Sequence, residues 1–147
     1  MDSHKIQIIG LLAPSPQKPP IPMFSEVACG FPSPAEEFSE ELASLDDIAI
    51  SAPAATFLVR AGGDSMVGAG IYPRDIIVVD RSKTAKNRDI VLAVVHGEFT
   101  CKRFLRSRGQ IILRAENPSY ADIVISEEHG FFVWGVCTFN LHRLSAC

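Results

Sequence analysis

Apolar residues in the C-terminal two thirds of the chain fall in short runs rich in Val and Ile, separated by glycine-bearing or polar turns. The pattern predicts strands at Thr56–Arg60, Asp75–Asp80, Asp89–Val95, Glu98–Leu105, Gln110–Ala115, Asp122–Ile125 and Phe131–Leu144. His96-Gly97 between two such runs signals a two-residue hairpin, and Ser107-Arg108-Gly109 marks the next turn. Many short β-branched runs with regular turns indicate a mainly β, closed or sandwiched antiparallel domain. One short helix is expected ahead of it, from about Pro34 to Leu45. Ser33 would be its N-cap and Glu36 the capping-box partner, while Phe38, Leu42 and Leu45 share a face. Residues 1–32 carry six prolines between Pro14 and Pro32 and read as an extended arm without a core of its own.

Composition narrows the class of protein. A chain of 147 residues fits one domain. No apolar run approaches the roughly 20 residues of a membrane-spanning helix, and the run Ile8–Ala13 is too short and too weakly flanked by basic residues to be a signal peptide. A cytoplasmic location is therefore expected. Cys29, Cys101, Cys137 and Cys147 are scattered without a C-x-x-C pair, so free thiols are expected and no metal or cofactor site is indicated. The net charge of −3 is unevenly placed. Residues 30–50 hold six carboxylates and no Lys or Arg, whereas Ser51 onward holds 12 basic against 9 acidic side chains. That mild excess lacks the density of a duplex-binding surface.

Three segments carry candidate chemistry. Gly62-Gly63-Asp64-Ser65-Met66 places a hydroxyl in a glycine-rich turn after a strand, where backbone amides and a nucleophile can be presented together. Such a tripeptide also makes ordinary Asx turns. Lys102 lies mid-strand within Phe99-Thr100-Cys101-Lys102-Arg103-Phe104, whereas Lys83 and Lys86 belong to a polar loop. A free lysine titrates near about 10.4, so service as a base requires its pKa to fall to about 7.4, a cost of about 4 kcal/mol that burial can supply. Alternation leaves its direction open, because Lys102 shares a face with Phe104 and Arg103 shares the other with Phe99. Val27-Ala28-Cys29-Gly30-Phe31-Pro32 is a small-residue, extended segment fit to enter a narrow cleft, or simply a hinge. The histidines His4, His96, His129 and His142 are scattered, which leaves a Ser-His arrangement open from sequence alone.

In this order and at these separations, Cys29-Gly30-Phe31-Pro32-Ser33-Pro34, Gly63-Asp64-Ser65-Met66 and Gly97-Glu98-Phe99-Thr100-Cys101-Lys102 closely resemble the LexA/UmuD family of self-cleaving Ser-Lys peptidases, the S24 type. The likeness runs from about Phe24 to near Phe139 and includes Asn117-Pro118-Ser119-Tyr120. It implies a compact LexA-peptidase-like β domain, with Ser65 as nucleophile, Lys102 as general base and Cys29–Gly30 as the bond cut. It further implies the backbone amides of Asp64 and Ser65 as the oxyanion hole, a removable arm at residues 1–29 and a peptidase domain at residues 30–147. The implied setting is the bacterial SOS response. Cleavage would be stimulated by RecA filaments on single-stranded DNA, and a shortened homodimer would serve a UmuC-type Y-family polymerase in translesion synthesis, with replicative polymerase subunits as further partners. Repressors of the family carry a helix-turn-helix before the cleavage site. The 29 residues here are too short and proline-rich for one, so operator binding is not expected.

Other classes compete with that reading. A membrane-anchored signal-peptidase-like enzyme also pairs serine with lysine, and a Gly-Asp-Ser esterase would want Asp-x-x-His where this chain has Phe139-Asn140-Leu141-His142. A repressor-type peptidase domain and a polymerase-regulating scaffold without catalysis keep the same fold.

Overall fold

Eight of the strands in the computed structural model, which describes residues 6–11, 21–24 and 40–146, join in one antiparallel sheet. The strands are β1 (Gln7–Leu11), β4 (Thr56–Arg60), β5 (Ile76–Asp80), β6 (Ile90–Val95), β7 (Glu98–Ser107), β8 (Gln110–Arg114), β9 (Ile123–Val124) and β10 (Phe132–Leu141). Their order is β1-β4-β5-β10-β6-β7-β8-β9. A separate two-stranded ribbon pairs β2 (Ile21–Phe24) with β3 (Glu40–Ala43), and helix α1 (Leu45–Ala49) follows it. The chain divides into two units, one of Met1–Leu12 with Ala52–Cys147 and one of Ala13–Ser51. Among the described residues no helix is long and apolar enough to cross a membrane.

The strand pattern read from the sequence is borne out within a residue or two along β4 to β8, and β9 and β10 are shorter than expected. Both hairpin turns have the backbone their residues suggest. His96 and Gly97 adopt φ of 51° and 75°, and Arg108 and Gly109 adopt 51° and 76°, the double positive φ that matches a tight turn to strand twist. Strand β6 shows why its sequence is apolar without alternation. Leu92 packs with Val59, Ile77, Val79 and Cys101, while Val91 and Ala93 pack on the other side with Phe104 and Leu113. A strand covered on both faces has no polar positions to spare.

Two expectations for the N-terminal third are corrected. Residues 40–43 are strand rather than the end of a helix, and the helix that exists starts at Leu45, with Ser44 accepting a bond from the Asp46 amide at 3.2 Å. The residues Pro34 to Ser39 lie outside the described residues. Residues 7–11, expected as arm, form β1 along β4 with a bulge between Ile8 and Gly10, and Ile6 and Ile8 pack against the core. Their alternation, with Gln7 and Ile9 turned to solvent, is that of an edge strand covering one side.

Candidate active site

The segment between β4 and β5 is a closed loop. Ala61 N donates to Asp75 O and Arg74 N to Ala61 O, both at 2.8 Å, so the ladder continues one step beyond the strands and clamps the loop at its neck. Inside it, Met66 and Ile71 are buried in the cluster that holds Val59 and Ile77. Met66 O accepts from Ala69 N at 3.0 Å and from Ile71 N at 3.2 Å, which rolls Val67–Ala69 into a 3₁₀ turn. Pinning Met66 leaves Ser65, its predecessor, half-buried at the surface. The loop uses the left-handed backbone region at Gly70 and Arg74, with φ of 84° and 72°.

The neck is held by a buried carboxylate. Asp75 is 3% exposed and accepts from the Tyr72 amide at 2.8 Å and from Asn140 Nδ2 at 2.7 Å, while His142 Nδ1 lies 2.6 Å from its other oxygen. Burial disfavours the charge, but these bonds outweigh it and hold Asp75 below its ordinary value. A carboxylate depressed on folding contributes stability above its unfolded pKa and loses it as pH falls through the folded one. Asp75→Ala is therefore expected to cost about 3 kcal/mol at neutral pH, with the gap to the native chain shrinking below about pH 4. Urea midpoints measured at pH 7 and pH 3 test this, and a constant gap would refute it.

Strand β7 supplies the lysine. Lys102 pairs with Val91 and Thr100 with Ala93, so both stand on the side of the sheet that holds Val91, Ala93, Phe104 and Leu113. The direction that alternation left open is thereby settled: half-buried Lys102 rises beside this apolar cluster, and Cys101 faces the opposite one. Lys102 Nζ donates to Ser65 Oγ at 3.2 Å, to Thr100 Oγ1 at 2.9 Å and to the Cys101 carbonyl oxygen at 3.2 Å. Thr100 joins the site without a motif of its own, and the only signal for it in the sequence is its position two residues before Lys102 on a strand. Behind the lysine, Cys101 and Cys137 are free thiols with sulphurs 3.9 Å apart. The hydrogen bond between them, with burial, pushes the Cys137 thiol well up.

The described histidines are engaged elsewhere. His142 meets Asp75, His129 Nδ1 accepts from the Ser126 amide at 3.0 Å, and His96 lies against the His129 ring with centroids 5.0 Å apart. His4 lies outside the described residues, as do Cys29 and Gly30. No group of His, Cys, Asp and Glu able to hold a metal occurs among the described residues.

A third segment, between β8 and β9, touches the β4–β5 loop on both sides of Ser65. Asn117 Nδ2 donates to the Asp64 carbonyl oxygen at 2.9 Å, the Tyr120 hydroxyl donates to the Asp64 carboxylate, and Gly68 N donates to Glu116 O at 2.8 Å. Glu116 is itself tied to β7, because Arg103 Nε donates to its carboxylate at 2.8 Å. The residues adjoining Ser65 and Lys102 are thus linked through one short segment.

The chain belongs to a peptidase family: the Peptidase S24-like profile matches residues 22–138. Among its relatives, Protein SamA of Salmonella typhimurium is 40% identical over 138 residues, which cover 90% of this chain and 96% of that protein. Protein ImpA of Escherichia coli is 39% identical over 124 residues, 83% of each chain. LexA repressor 1 of Geobacter sulfurreducens is 43% identical over 110 residues, 75% of this chain and 54% of that protein.

Proposed function

We propose that the chain is a self-cleaving serine endopeptidase of the bacterial DNA-damage response that cuts its own Cys29–Gly30 bond. What carries the reading is the 3.2 Å approach of Lys102 Nζ to Ser65 Oγ in a chain of the Peptidase S24-like family. A neutral amine has two hydrogens and one lone pair. Thr100 Oγ1 and the Cys101 carbonyl can take the two hydrogens, which turns the lone pair to the Ser65 hydroxyl. Lys102 removes that proton as Ser65 Oγ bonds to the Cys29 carbonyl carbon, and the backbone amides of Ser65 and Asp64 receive the oxyanion. The tetrahedral adduct collapses as Lys102 returns the proton to the Gly30 nitrogen. Water then hydrolyses the acyl-serine with Lys102 again as base. Residues 1–29, β1 among them, then part from residues 30–147.

In this reading a RecA filament on single-stranded DNA favours the conformer with the cleavage segment seated, a population shift that needs no new chemistry. The product, as a homodimer, serves a UmuC-type Y-family polymerase. The test is mass spectrometry of the purified chain incubated with activated RecA filaments. A fragment beginning at Gly30 is expected, with Ser65→Ala uncut. Cleavage elsewhere, or an intact chain under conditions that process a known S24 peptidase, would overturn the assignment.

A further inference from the structure

The oxyanion amide at Ser65 belongs to a peptide group whose other end is held by a side chain from a different loop. Asp64 C=O and Ser65 N–H are the two ends of one planar trans unit, and no cis peptide occurs among the described residues. In such a unit the oxygen and the hydrogen point in opposite directions. Whatever fixes the direction of Asp64 O therefore fixes that of Ser65 N–H. Asn117 Nδ2 grips that oxygen at 2.9 Å, and Val67 N approaches it more weakly at 3.4 Å. We propose that Asn117 is a positioning residue of the peptidase, which aims the Ser65 amide at the developing oxyanion by holding the opposite end of its peptide plane.

Asn117 is well suited to this. Its Oδ1 accepts from Ser119 N at 3.0 Å and its carbonyl accepts from Tyr120 N at 3.1 Å, so its own turn fixes the amide group that reaches Asp64. The Tyr120 hydroxyl holds the Asp64 side chain, so rotation of residue 64 about its backbone is resisted at two points. On the far side of Ser65, the bond from Gly68 N to Glu116 O prevents the loop from sliding along the brace. A side chain that acts through the backbone of its neighbour leaves no motif around the nucleophile, since it sits 52 residues from Ser65.

The inference rests on the Ser65–Lys102 reading, and the test separates the two. Self-cleavage rates of the full chain are measured from pH 7 to 10 for the native protein, Asn117→Ala, Asn117→Asp and Ser65→Ala, with labelling of Ser65 by a fluorophosphonate in parallel. Asn117→Asp keeps the acceptor for Ser119 N and loses the donor to Asp64, so it covers the case in which the alanine variant fails to fold. Removing an oxyanion donor outright costs about 10²–10³ in rate, and misaiming one is expected to cost about 10- to 100-fold. The loss should appear in the high-pH plateau and in phosphonate labelling, with the pH midpoint of Asn117→Ala unchanged because Lys102 is untouched. Rates within about twofold of the native chain, or a loss arising wholly from a moved midpoint, overturn the role of Asn117 while leaving the dyad standing. Cleavage by Ser65→Ala overturns both.

Discussion

Replacement of Lys102 by alanine is expected to slow self-cleavage by about 10³-fold or more while leaving the fold in place. A positioned general base contributes about 10²–10⁴ in rate, and in the proposed mechanism Lys102 also returns its proton to the leaving amine, so both halves of the reaction would lose it. Lys102 is half-buried at the margin of the cluster formed by Val91, Ala93, Phe104 and Leu113, so its truncation removes no central packing. Lys102→Arg sharpens the test. It keeps a positive charge and hydrogen-bond donors near Ser65 and Thr100 but cannot give up its proton near neutrality. An arginine that restored cleavage would show that the charge, and not proton transfer, matters. The native chain should cleave faster as pH rises from 7 toward 10, because only the neutral form of the amine can act and its share grows with pH. A flat profile over that range would count against an amine base as strongly as an active alanine variant.

How far the sequence disclosed this site follows from the range of the interactions involved. Elements set by neighbours in the chain were legible. The His96-Gly97 and Arg108-Gly109 turns need only their own φ angles, and β4 to β8 need only their own runs of branched residues. Elements set by distant partners were not. Leu42 and Leu45 fit a helical spacing, but Glu40–Ala43 pairs with Ile21–Phe24, a partner some 19 residues upstream that outweighs local periodicity. The Ile6–Gln7–Ile8 alternation was present in the sequence, and the prolines after it obscured its role as the strand that covers β4. The orientation of Lys102 could not be read from its flanking residues, because β7 has apolar side chains on both faces. Pairing with Val91 on β6 decides it. Asn117 and Tyr120 stood in a recognisable motif, yet their contact with Asp64 exists only in three dimensions.

Gly68→Ala is expected to damage both stability and cleavage, through a single contact. A Cβ at residue 68 would lie 2.5 Å from the Glu116 carbonyl oxygen and 3.3 Å from its carbon, and these are backbone atoms that no rotamer change can move aside. The same oxygen accepts the Gly68 amide at 2.8 Å, so relieving the overlap stretches the bond that joins the two loops. Overpacking of this kind costs about 1–3 kcal/mol. At roughly 2–4 °C per kcal/mol for a chain of this size, the melting temperature should fall by roughly 2–12 °C. Because Asn117 follows Glu116 directly, displacement of the brace also turns the peptide that bears the Ser65 amide. Cleavage measured well below the melting range should therefore drop by about tenfold or more. Gly109→Ala provides the comparison. Its φ of 76° makes any side chain strained, but no atom lies within 4 Å of the added Cβ, and it sits in the β7–β8 hairpin turn. That variant should lose stability by about 1 kcal/mol and cleave at the native rate. If the two variants lose stability and cleave alike, the junction between Gly68 and Glu116 is only a packing contact, and the alignment of Ser65 must be maintained from within its own loop.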